Sequence, residues 1–304
     1  MSELPRPPAA RPLGASGPAI SSLGWGMWRL TAAGLDAAGV ARLVEGVLDA
    51  GVTLFDTADI YGFDGRSGFG EAEALLGQAL ALAPSLRGRM VLASKGGILP
   101  PLPYDQSPTY LQGAIEASLR RLRTDRIDLY QIHRPDILAH PQEVARVLDD
   151  AVRAGKIGSL GVSNFSPSQI AALAQFLDTP LATTQPEISP LRIDCLENGE
   201  LDQAMVMGLT PLAWSPLAGG RLLDPQTERE KAVAAALDVV ALDQGVSRSS
   251  AAFSWLMAHP AGIVPIVGSQ QLARAVEATE ALAVRWTRAQ WYAVLVASRG
   301  EPLP

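Results

Sequence analysis

The sequence predicts a single (β/α)₈ barrel, and three observations favour this fold class. Eight short, apolar, β-rich runs occur along the chain, and longer stretches with apolar residues at helical spacing lie between them. The runs are continuously apolar, as expected of parallel strands that are buried on both faces. The length of 304 residues suits one closed barrel, and no linker rich in Pro, Gly or Ser interrupts the interior of the chain.

The predicted strands follow one another at intervals that leave room for helices. The strands are predicted over residues 20–26, 53–57, 91–95, 128–133, 158–163, 183–188, 210–215 and 263–268. The helices are predicted over residues 36–50, 70–82, 110–122, 141–154, 167–177, 229–244, 248–258, 271–282 and 288–298. The main alternative is an open doubly wound sheet, which would have a Gly-rich turn after its first strand. The segment GWGMW at that place does not match such a turn.

The N-terminal segment differs in composition from the remainder. Residues 1–18 are rich in Pro, Ala and Gly and show no strand or helix period, so we expect a disordered leader there and the barrel over 19–304. No apolar run approaches the roughly 18 residues of a membrane span, and none resembles the apolar region of a signal peptide. The formal net charge of −6, without basic clusters, argues against nucleic-acid binding. These features predict a cytoplasmic protein.

The chain has one cysteine, Cys195, which excludes an intramolecular disulfide. No Cys-His motif surrounds this thiol, so a structural role is favoured over a nucleophilic one.

Four ionisable residues lie at the ends of three consecutive predicted strands. Asp56 and Tyr61 occur in the segment DTADIYG, Lys95 ends the third strand and His133 ends the fourth. The C-terminal ends of barrel strands meet at one mouth, where active sites are built. Each residue alone also has a structural interpretation, as a capping, packing or core group. All four at one mouth favour catalysis.

The four residue types suit proton transfer to a carbonyl oxygen. We expect Tyr61 to protonate the developing alkoxide and Lys95 to lower the pKa of that phenol. Asp56 would keep Lys95 charged in a buried site. His133 would donate a hydrogen bond that orients the carbonyl.

Several segments resemble the aldo-keto reductase superfamily, and in particular a bacterial branch of oxidoreductases with short loops. The resemblance runs from about Ile20 to Leu282 and is carried by GVTLFDTADIYG, ASK, IDLYQIHRPD, GKIGSLGVSNF, TTQPEISPL, WSPLAGGRL and PIVGS. The catalytic tetrad of that family is Asp, Tyr, Lys and His in this chain order. The resemblance therefore implies hydride transfer between a nicotinamide cofactor and a carbonyl by the tetrad Asp56, Tyr61, Lys95 and His133.

The resemblance also implies NADP(H), bound over the barrel mouth without a Rossmann fold. Asn164 and Gln185 are expected to hold the nicotinamide carboxamide, and Trp214 to stack on its ring where the family often has Tyr. The loop that follows has small residues and a cation, which suit phosphate. The other expected contacts are Gly26, Met27, Asp56, Ser163, Ser215, Pro216, Leu217, Gly219 and Arg221.

The end of the eighth predicted strand bears on the choice between NADPH and NADH. The family binds the 2′-phosphate here through a basic residue, a Ser and an Arg. Ser269 and Arg274 match that set, but Gly268 replaces the frequent basic residue. The sequence predicts NADPH as the preferred cofactor and NADH as the weaker alternative.

The substrate is less well defined. Trp28 is the expected pocket wall, beside Tyr61 and His133, although it could instead plug the barrel. The proline-stiffened loop 96–108 is placed to overhang the site, and the short C-terminal tail predicts an open pocket. No cationic clamp for a carboxylate is evident, so small aldehydes and diketones are the expected substrates. A monomer or weak homo-oligomer is expected.

Two other functions remain possible from the residues. The first is a non-catalytic or slow NADPH-binding redox-sensing subunit, against which the intact tetrad argues. The second is a metal-dependent barrel hydrolase. His140 and His259 lie at helix ends away from His133, so no metal site is expected.

Overall fold

The structure is a computed structural model that describes residues 3–303, and it confirms the predicted single-domain barrel. Eight parallel strands close into one ring because the last strand pairs with both its predecessor and the first. A two-stranded antiparallel hairpin, β1 (Ala10–Pro12) and β2 (Ala19–Ser21), precedes the barrel. The barrel strands are β3 (Gly24–Gly26), β4 (Leu54–Asp56), β5 (Val91–Gly96), β6 (Ile127–Ile132), β7 (Ile157–Ser163), β8 (Leu181–Gln185), β9 (Thr210–Ala213) and β10 (Val264–Val267).

Ten α-helices occur within the described residues. They are α1 (Ala37–Asp49), α2 (Glu71–Leu82), α3 (Pro108–Leu122), α4 (Pro141–Arg153), α5 (Pro167–Ala174), α6 (Glu200–Met207), α7 (Glu228–Gln244), α8 (Arg248–Met257), α9 (Leu272–Ala278) and α10 (Arg288–Arg299). Ser166 caps α5, and Pro167 lies in the first turn of that helix. Helix α6 was not predicted; unlike α5, it has neither a side-chain N-cap nor a proline in its first turn. Within residues 3–303, no helix is both long enough and apolar enough to cross a bilayer.

The N-terminal segment is ordered where disorder was expected. Strands β1 and β2 pair from Ala10 to Ser21, which splits the predicted first strand at residues 22 and 23. Leu13 is fully buried, and the Gly14 N–H donates to Thr210 Oγ1 at 2.8 Å. The hairpin therefore covers the end of the barrel where the strands begin. The expected disorder is wrong for residues 10–18, because this segment is ordered by contacts with the barrel that its composition does not report.

The barrel interior changes from apolar to polar along its axis. Apolar residues fill the end where the strands begin, among them Leu54, Leu129 and Leu212. Polar side chains project near the strand ends and bond to one another: Thr183 Oγ1 donates to Gln131 Oε1 at 3.1 Å. The apolar end makes the barrel a packed core, and the polar end is the site of the predicted chemistry.

Candidate active site

Lys95 is the centre of a buried hydrogen-bond network. Its ammonium donates to Asp56 Oδ2 at 2.7 Å, to the Thr57 carbonyl oxygen at 2.9 Å and to Tyr61 Oη at 3.0 Å. An ammonium has three protons to donate, so all of its donors are satisfied. The Lys95 side chain is 0% exposed and that of Asp56 is 3% exposed. The two charges are thus buried as a pair, which is the condition for keeping either one in the barrel.

Neighbouring strands place these groups together. Asp56 ends β4, and Lys95 lies in the next strand, β5, whose Ala93 is opposite Asp56 in the register. The loop after β4 is fastened on two sides. The Asp59 N–H donates to the Lys95 carbonyl at 3.0 Å, and the Ala72 N–H of α2 donates to the Tyr61 carbonyl at 3.2 Å. This loop holds the phenol of Tyr61 over the ammonium.

The second carboxylate oxygen of Asp56 is also bonded. Gln185 Nε2 donates to Asp56 Oδ1 at 3.0 Å, and Gln131 Nε2 lies 3.5 Å from the same oxygen. The carboxylate is therefore held by side chains of β5, β6 and β8 at once. Gln185, expected to contact the cofactor, also orients Asp56.

Electrostatics keep the proton on Tyr61. Burial raises the pKa of the Tyr61 phenol, and this outweighs the opposing effect of the Lys95 ammonium. Burial alone would lower the pKa of Lys95, but Asp56 and Tyr61 more than compensate, so the pKa of the ammonium is raised. Lys95 lowers the pKa of the Tyr61 phenol, as expected, but desolvation is the larger effect and the net shift is upward. Tyr61 is a protonated phenol beside a charged ammonium at neutral pH.

His133 faces Tyr61 across the same pocket. The two ring centroids are 5.8 Å apart in an edge-on arrangement. The backbone N–H of His133 donates to the Gly96 carbonyl at 2.9 Å. Burial, followed by the charges of Lys95 and Arg134, holds the pKa of His133 well below its usual range. Its Nδ1 is buried and has no hydrogen-bond partner among residues 3–303. The imidazole is therefore neutral and has one N–H to donate.

The tetrad opens on a cavity of about 1010 Å³ at the C-terminal ends of the strands. Its lining brings together sixteen of the residues expected at the catalytic, cofactor or substrate positions. They are Gly26, Trp28, Asp56, Tyr61, His133, Ser163, Asn164, Gln185, Trp214, Ser215, Pro216, Leu217, Gly219, Gly268, Ser269 and Arg274. Trp28 is 58% exposed and its ring lies 5.3 Å from that of Tyr61, so it forms a wall of the cavity and does not plug the barrel.

Three expected residues are not part of this lining. Lys95 lies behind Tyr61, and Met27 is fully buried with its N–H bonded to the Asp56 carbonyl at 2.9 Å. Arg221 was expected to supply a cation to the cofactor. Its guanidinium instead lies 3.4 Å from Glu230 Oε1 and donates to the Ala218 carbonyl at 3.1 Å. The ion pair with α7 turns Arg221 away from the position that was expected for it.

A second polar group lies beyond His133. Asn164 Nδ2 donates to the His133 carbonyl at 3.1 Å and to Ser163 Oγ at 2.9 Å, while Trp214 Nε1 donates to Asn164 Oδ1 at 3.0 Å. Asn164 has a φ of 60°, a conformation that Asn adopts more readily than most residues. These bonds hold the indole of Trp214 against the amide, so that an aromatic surface and polar groups line the cavity together.

Two chain segments form the outer part of the cavity. In the loop after Trp214, the Gly219 N–H bonds to Ser215 Oγ at 2.9 Å, and both residues have positive φ. After β10, Gln270 Nε2 donates to the Gly26 carbonyl at 2.8 Å and so ties the loop to β3. Small residues and free backbone groups at this place leave room for an extended ligand. The cavity combines a volume of about 1010 Å³ with polar groups and an aromatic surface, features that are typical of sites for large organic ligands.

Several lining residues were missed from the sequence. The cavity wall includes two cations, Arg29 and Arg134, although no cationic group was expected beside the substrate. Arg134 directly follows His133, so its position could have been found from the motif alone. Ser249 and Glu277, which bond to each other at 2.8 Å, come from separate helices that no motif connects.

Possible metal ligands are dispersed. Among residues 3–303, no group of three or more His, Cys, Asp or Glu side chains is placed to hold a metal ion. Cys195 is buried beside Glu200, and burial followed by the nearby carboxylate raises the pKa of its thiol well above the usual value. Such a thiol is a poor nucleophile.

Comparison with known proteins identifies the family. The model of the Aldo/keto reductase family matches residues 22–295. The chain belongs to the aldo/keto reductase family. As a member of that family it is an oxidoreductase, and the family acts on small carbonyl compounds with nicotinamide cofactors.

Individual relatives agree with the aldo/keto reductase assignment. A 6-dehydroglucose reductase of Novosphingobium aromaticivorans is 70% identical over 304 residues, which covers 100% of each chain. A 6-dehydroglucose reductase of Agrobacterium fabrum is 37% identical over 292 residues, covering 93% of this chain and 95% of the relative. The fold is shared with a thermostable aldo-keto reductase crystallised with the inhibitor epalrestat: the TM-score is 0.79 at 24% identity, over 95% of this chain and 99% of that one.

Proposed function

We propose that this protein is an NADPH-dependent reductase of a sugar aldehyde, 6-dehydroglucose, with Tyr61 as the proton donor. The observation that carries the proposal is the bonding of Lys95 to both Asp56 and Tyr61 at the floor of the cavity. The substrate is that of the relative with 70% identity, and it belongs to the class of aldehydes that such a site reduces. Reduction converts the aldehyde carbon to a primary alcohol.

Proton transfer is the contribution of the tetrad. A bound reduced nicotinamide would supply the hydride to the carbonyl carbon. As the C–O double bond becomes single, the oxygen takes the proton from Tyr61 Oη. The Lys95 ammonium, 3.0 Å from that oxygen, stabilises the phenolate that remains, and Asp56 keeps the ammonium charged. The phenolate then regains a proton from solvent.

His133 is proposed to orient the substrate. A neutral imidazole donates one hydrogen bond without competing with Tyr61 as an acid. Its low pKa and its edge-on position at 5.8 Å from the Tyr61 ring both support this division of roles. The carbonyl oxygen would accept bonds from Tyr61 and His133 together, which holds its carbon in one orientation for hydride addition.

The remaining cavity residues are proposed to bind the cofactor. Asn164, Gln185 and Trp214 lie beside the tetrad, where they suit the nicotinamide. Ser269 and Arg274 lie at the outer end, and the Arg274 side chain has no hydrogen bond or ion pair within residues 3–303. A guanidinium that is free to form a fork of hydrogen bonds suits a 2′-phosphate, which supports NADPH over NADH.

Steady-state assays of the purified protein test each part of the proposal. The panel contains 6-dehydroglucose and hexanal, each with NADPH and with NADH. We expect turnover of both aldehydes, a higher kcat/KM for 6-dehydroglucose, and a lower KM for NADPH. Reduction of hexanal without reduction of 6-dehydroglucose would reject the substrate. Equal use of both cofactors would reject the NADPH preference. Tight NADPH binding without turnover of either aldehyde would favour the redox-sensing alternative.

A further inference from the structure

Arg134 is a cation at the catalytic mouth whose side chain has no bonding partner among residues 3–303. It directly follows His133, lines the cavity and is half-buried. Its guanidinium forms no hydrogen bond or ion pair with any residue in the described part of the chain, whereas Arg121, Arg248 and Arg299 are all paired. The five N–H donors of this guanidinium therefore have no acceptor among residues 3–303.

The backbone of Arg134 is held firmly on both sides. Gln106, which is 3% exposed, donates from Nε2 to the Arg134 carbonyl at 2.5 Å, and its own N–H bonds to Asp136 Oδ2 at 3.1 Å. Pro135 also restricts the backbone of the residue before it to extended conformations. The buried glutamine therefore fixes the backbone from which the Arg134 side chain extends.

The guanidinium is also near the reacting groups. Its positive charge contributes to lowering the pKa of His133 and opposes the raised pKa of Tyr61. Both of those side chains contact the expected carbonyl position. A substrate with its carbonyl between Tyr61 and His133 would extend its remaining atoms past Arg134.

We propose that Arg134 is a specificity-determining residue that donates hydrogen bonds to hydroxyl oxygens of the sugar aldehyde. This inference rests on the proposed function. A sugar aldehyde has several hydroxyl acceptors beyond its reacting carbon, whereas an alkyl aldehyde has none. A site with an unpaired donor discriminates strongly between such compounds, because the donor stays unsatisfied when the hydroxyl is missing. The planar fork of arginine can reach two adjacent oxygens, which an ammonium does less well.

The test compares kcat/KM for 6-dehydroglucose with kcat/KM for hexanal, an aldehyde with the same number of carbons and no hydroxyl. The ratio is measured for the wild type and for Arg134→Met, Arg134→Lys and Arg29→Met. We expect Arg134→Met to lower the ratio by about ten- to hundredfold, the value of one or two bonds to a charged donor. Arg134→Lys should restore only a small part of the lost ratio.

Arg29→Met is the matched control, since Arg29 is another cation of the same cavity that is unpaired in the described part of the chain but is exposed. Its ratio should change by less than about fivefold. NADPH titrations and thermal melts of each variant establish that cofactor binding and folding persist.

The outcomes separate the inference from the proposed function. An unchanged ratio in Arg134→Met would overturn the inference while leaving 6-dehydroglucose as the substrate. Equal loss on both aldehydes, restored by Arg134→Lys, would also overturn it and assign Arg134 to electrostatic support of Tyr61. A wild type that reduces hexanal but not 6-dehydroglucose would reject the substrate, and this inference with it. A wild-type preference for succinic semialdehyde over 6-dehydroglucose would assign Arg134 to carboxylate recognition instead.

Discussion

The cations at the two ends of the cavity differ in burial and in pairing. At the catalytic end, Lys95 and Asp56 are buried and every donor of the ammonium is bonded inside the protein. At the outer end, Arg274 is exposed, and its guanidinium is unpaired within residues 3–303. The buried Lys95–Asp56 pair is thus fully bonded before any ligand binds, whereas Arg274 at the outer end has donors available for one.

This difference predicts where substitutions should most reduce stability and activity. Removing one partner of a buried ion pair leaves an uncompensated charge in a medium of low dielectric, which is strongly destabilising. An exposed cation is screened by water and salt, so its loss has a small effect. We therefore expect effects to decrease from the floor of the cavity to its outer end.

The largest expected effect is that of Tyr61→Phe. The substitution removes only the hydroxyl, and the ring can keep its contacts with Trp28 at 5.3 Å and His133 at 5.8 Å. Loss of the proton donor should lower kcat by about 10³-fold or more, near the upper part of the range for general acid catalysis. NADPH affinity, measured by fluorescence titration, should change little. A kcat within tenfold of the wild type would show that another group supplies the proton.

Lys95→Met should have the next largest effect on turnover, together with the largest effect on stability. The phenolate of Tyr61 would lose its stabilising charge, and kcat should fall by about 10²-fold. The Asp56 carboxylate would remain buried without its partner, at a cost of about 3–5 kcal/mol in the free energy of unfolding.

The double variant Lys95→Met/Asp56→Asn is the control for that prediction. It removes both charges, so it should regain most of the lost stability in urea unfolding while its turnover stays low. Equal stabilities of the single and double variants would contradict the account of Asp56 as an uncompensated charge.

The sequence predicts the catalytic end of the cavity better than the outer end. Strand ends are marked by local motifs, so the positions of Asp56, Lys95 and His133 follow once the barrel is assumed. Arg221 illustrates the limit of this reasoning: a cation beside a small-residue loop suits phosphate, but the direction of its side chain depends on Glu230 in α7. Whether a long cationic side chain is paired is decided by tertiary contacts that no local period reveals.

The ordered hairpin and the net pKa shift of Tyr61 both depend on burial in the folded protein, which the sequence does not report. The stability of β1 and β2 comes from burying Leu13 against the barrel, and composition alone does not report that contact. The pKa of Tyr61 depends on a balance between burial and the nearby ammonium. Motif order indicates which charges are neighbours but not how far water is excluded.

At the outer end, Arg274→Ala should separate the two cofactors. If its guanidinium binds the 2′-phosphate, the Kd for NADPH should rise by about tenfold, and that for NADH by less than about twofold. The side chain is exposed and has no bonding partner within residues 3–303, so we expect only a small change in thermal stability. Equal weakening of both cofactors would assign Arg274 to a group that they share.

Gly268→Lys should produce the smallest effect, and it should raise the affinity for NADPH where Arg274→Ala lowers it. Gly268 has no positive φ, and a Cβ built there meets no atom within 4 Å, so a longer side chain fits without strain. A lysine there would add a second exposed cation beside Ser269 and Arg274, and NADPH affinity should rise by about two- to fivefold. The gain should shrink as salt is raised, because exposed charges are screened. Gly268→Ala controls for the loss of backbone freedom and should leave the affinity unchanged. A gain that is equal for NADH, or that persists at high salt, would place the 2′-phosphate away from this end of the cavity.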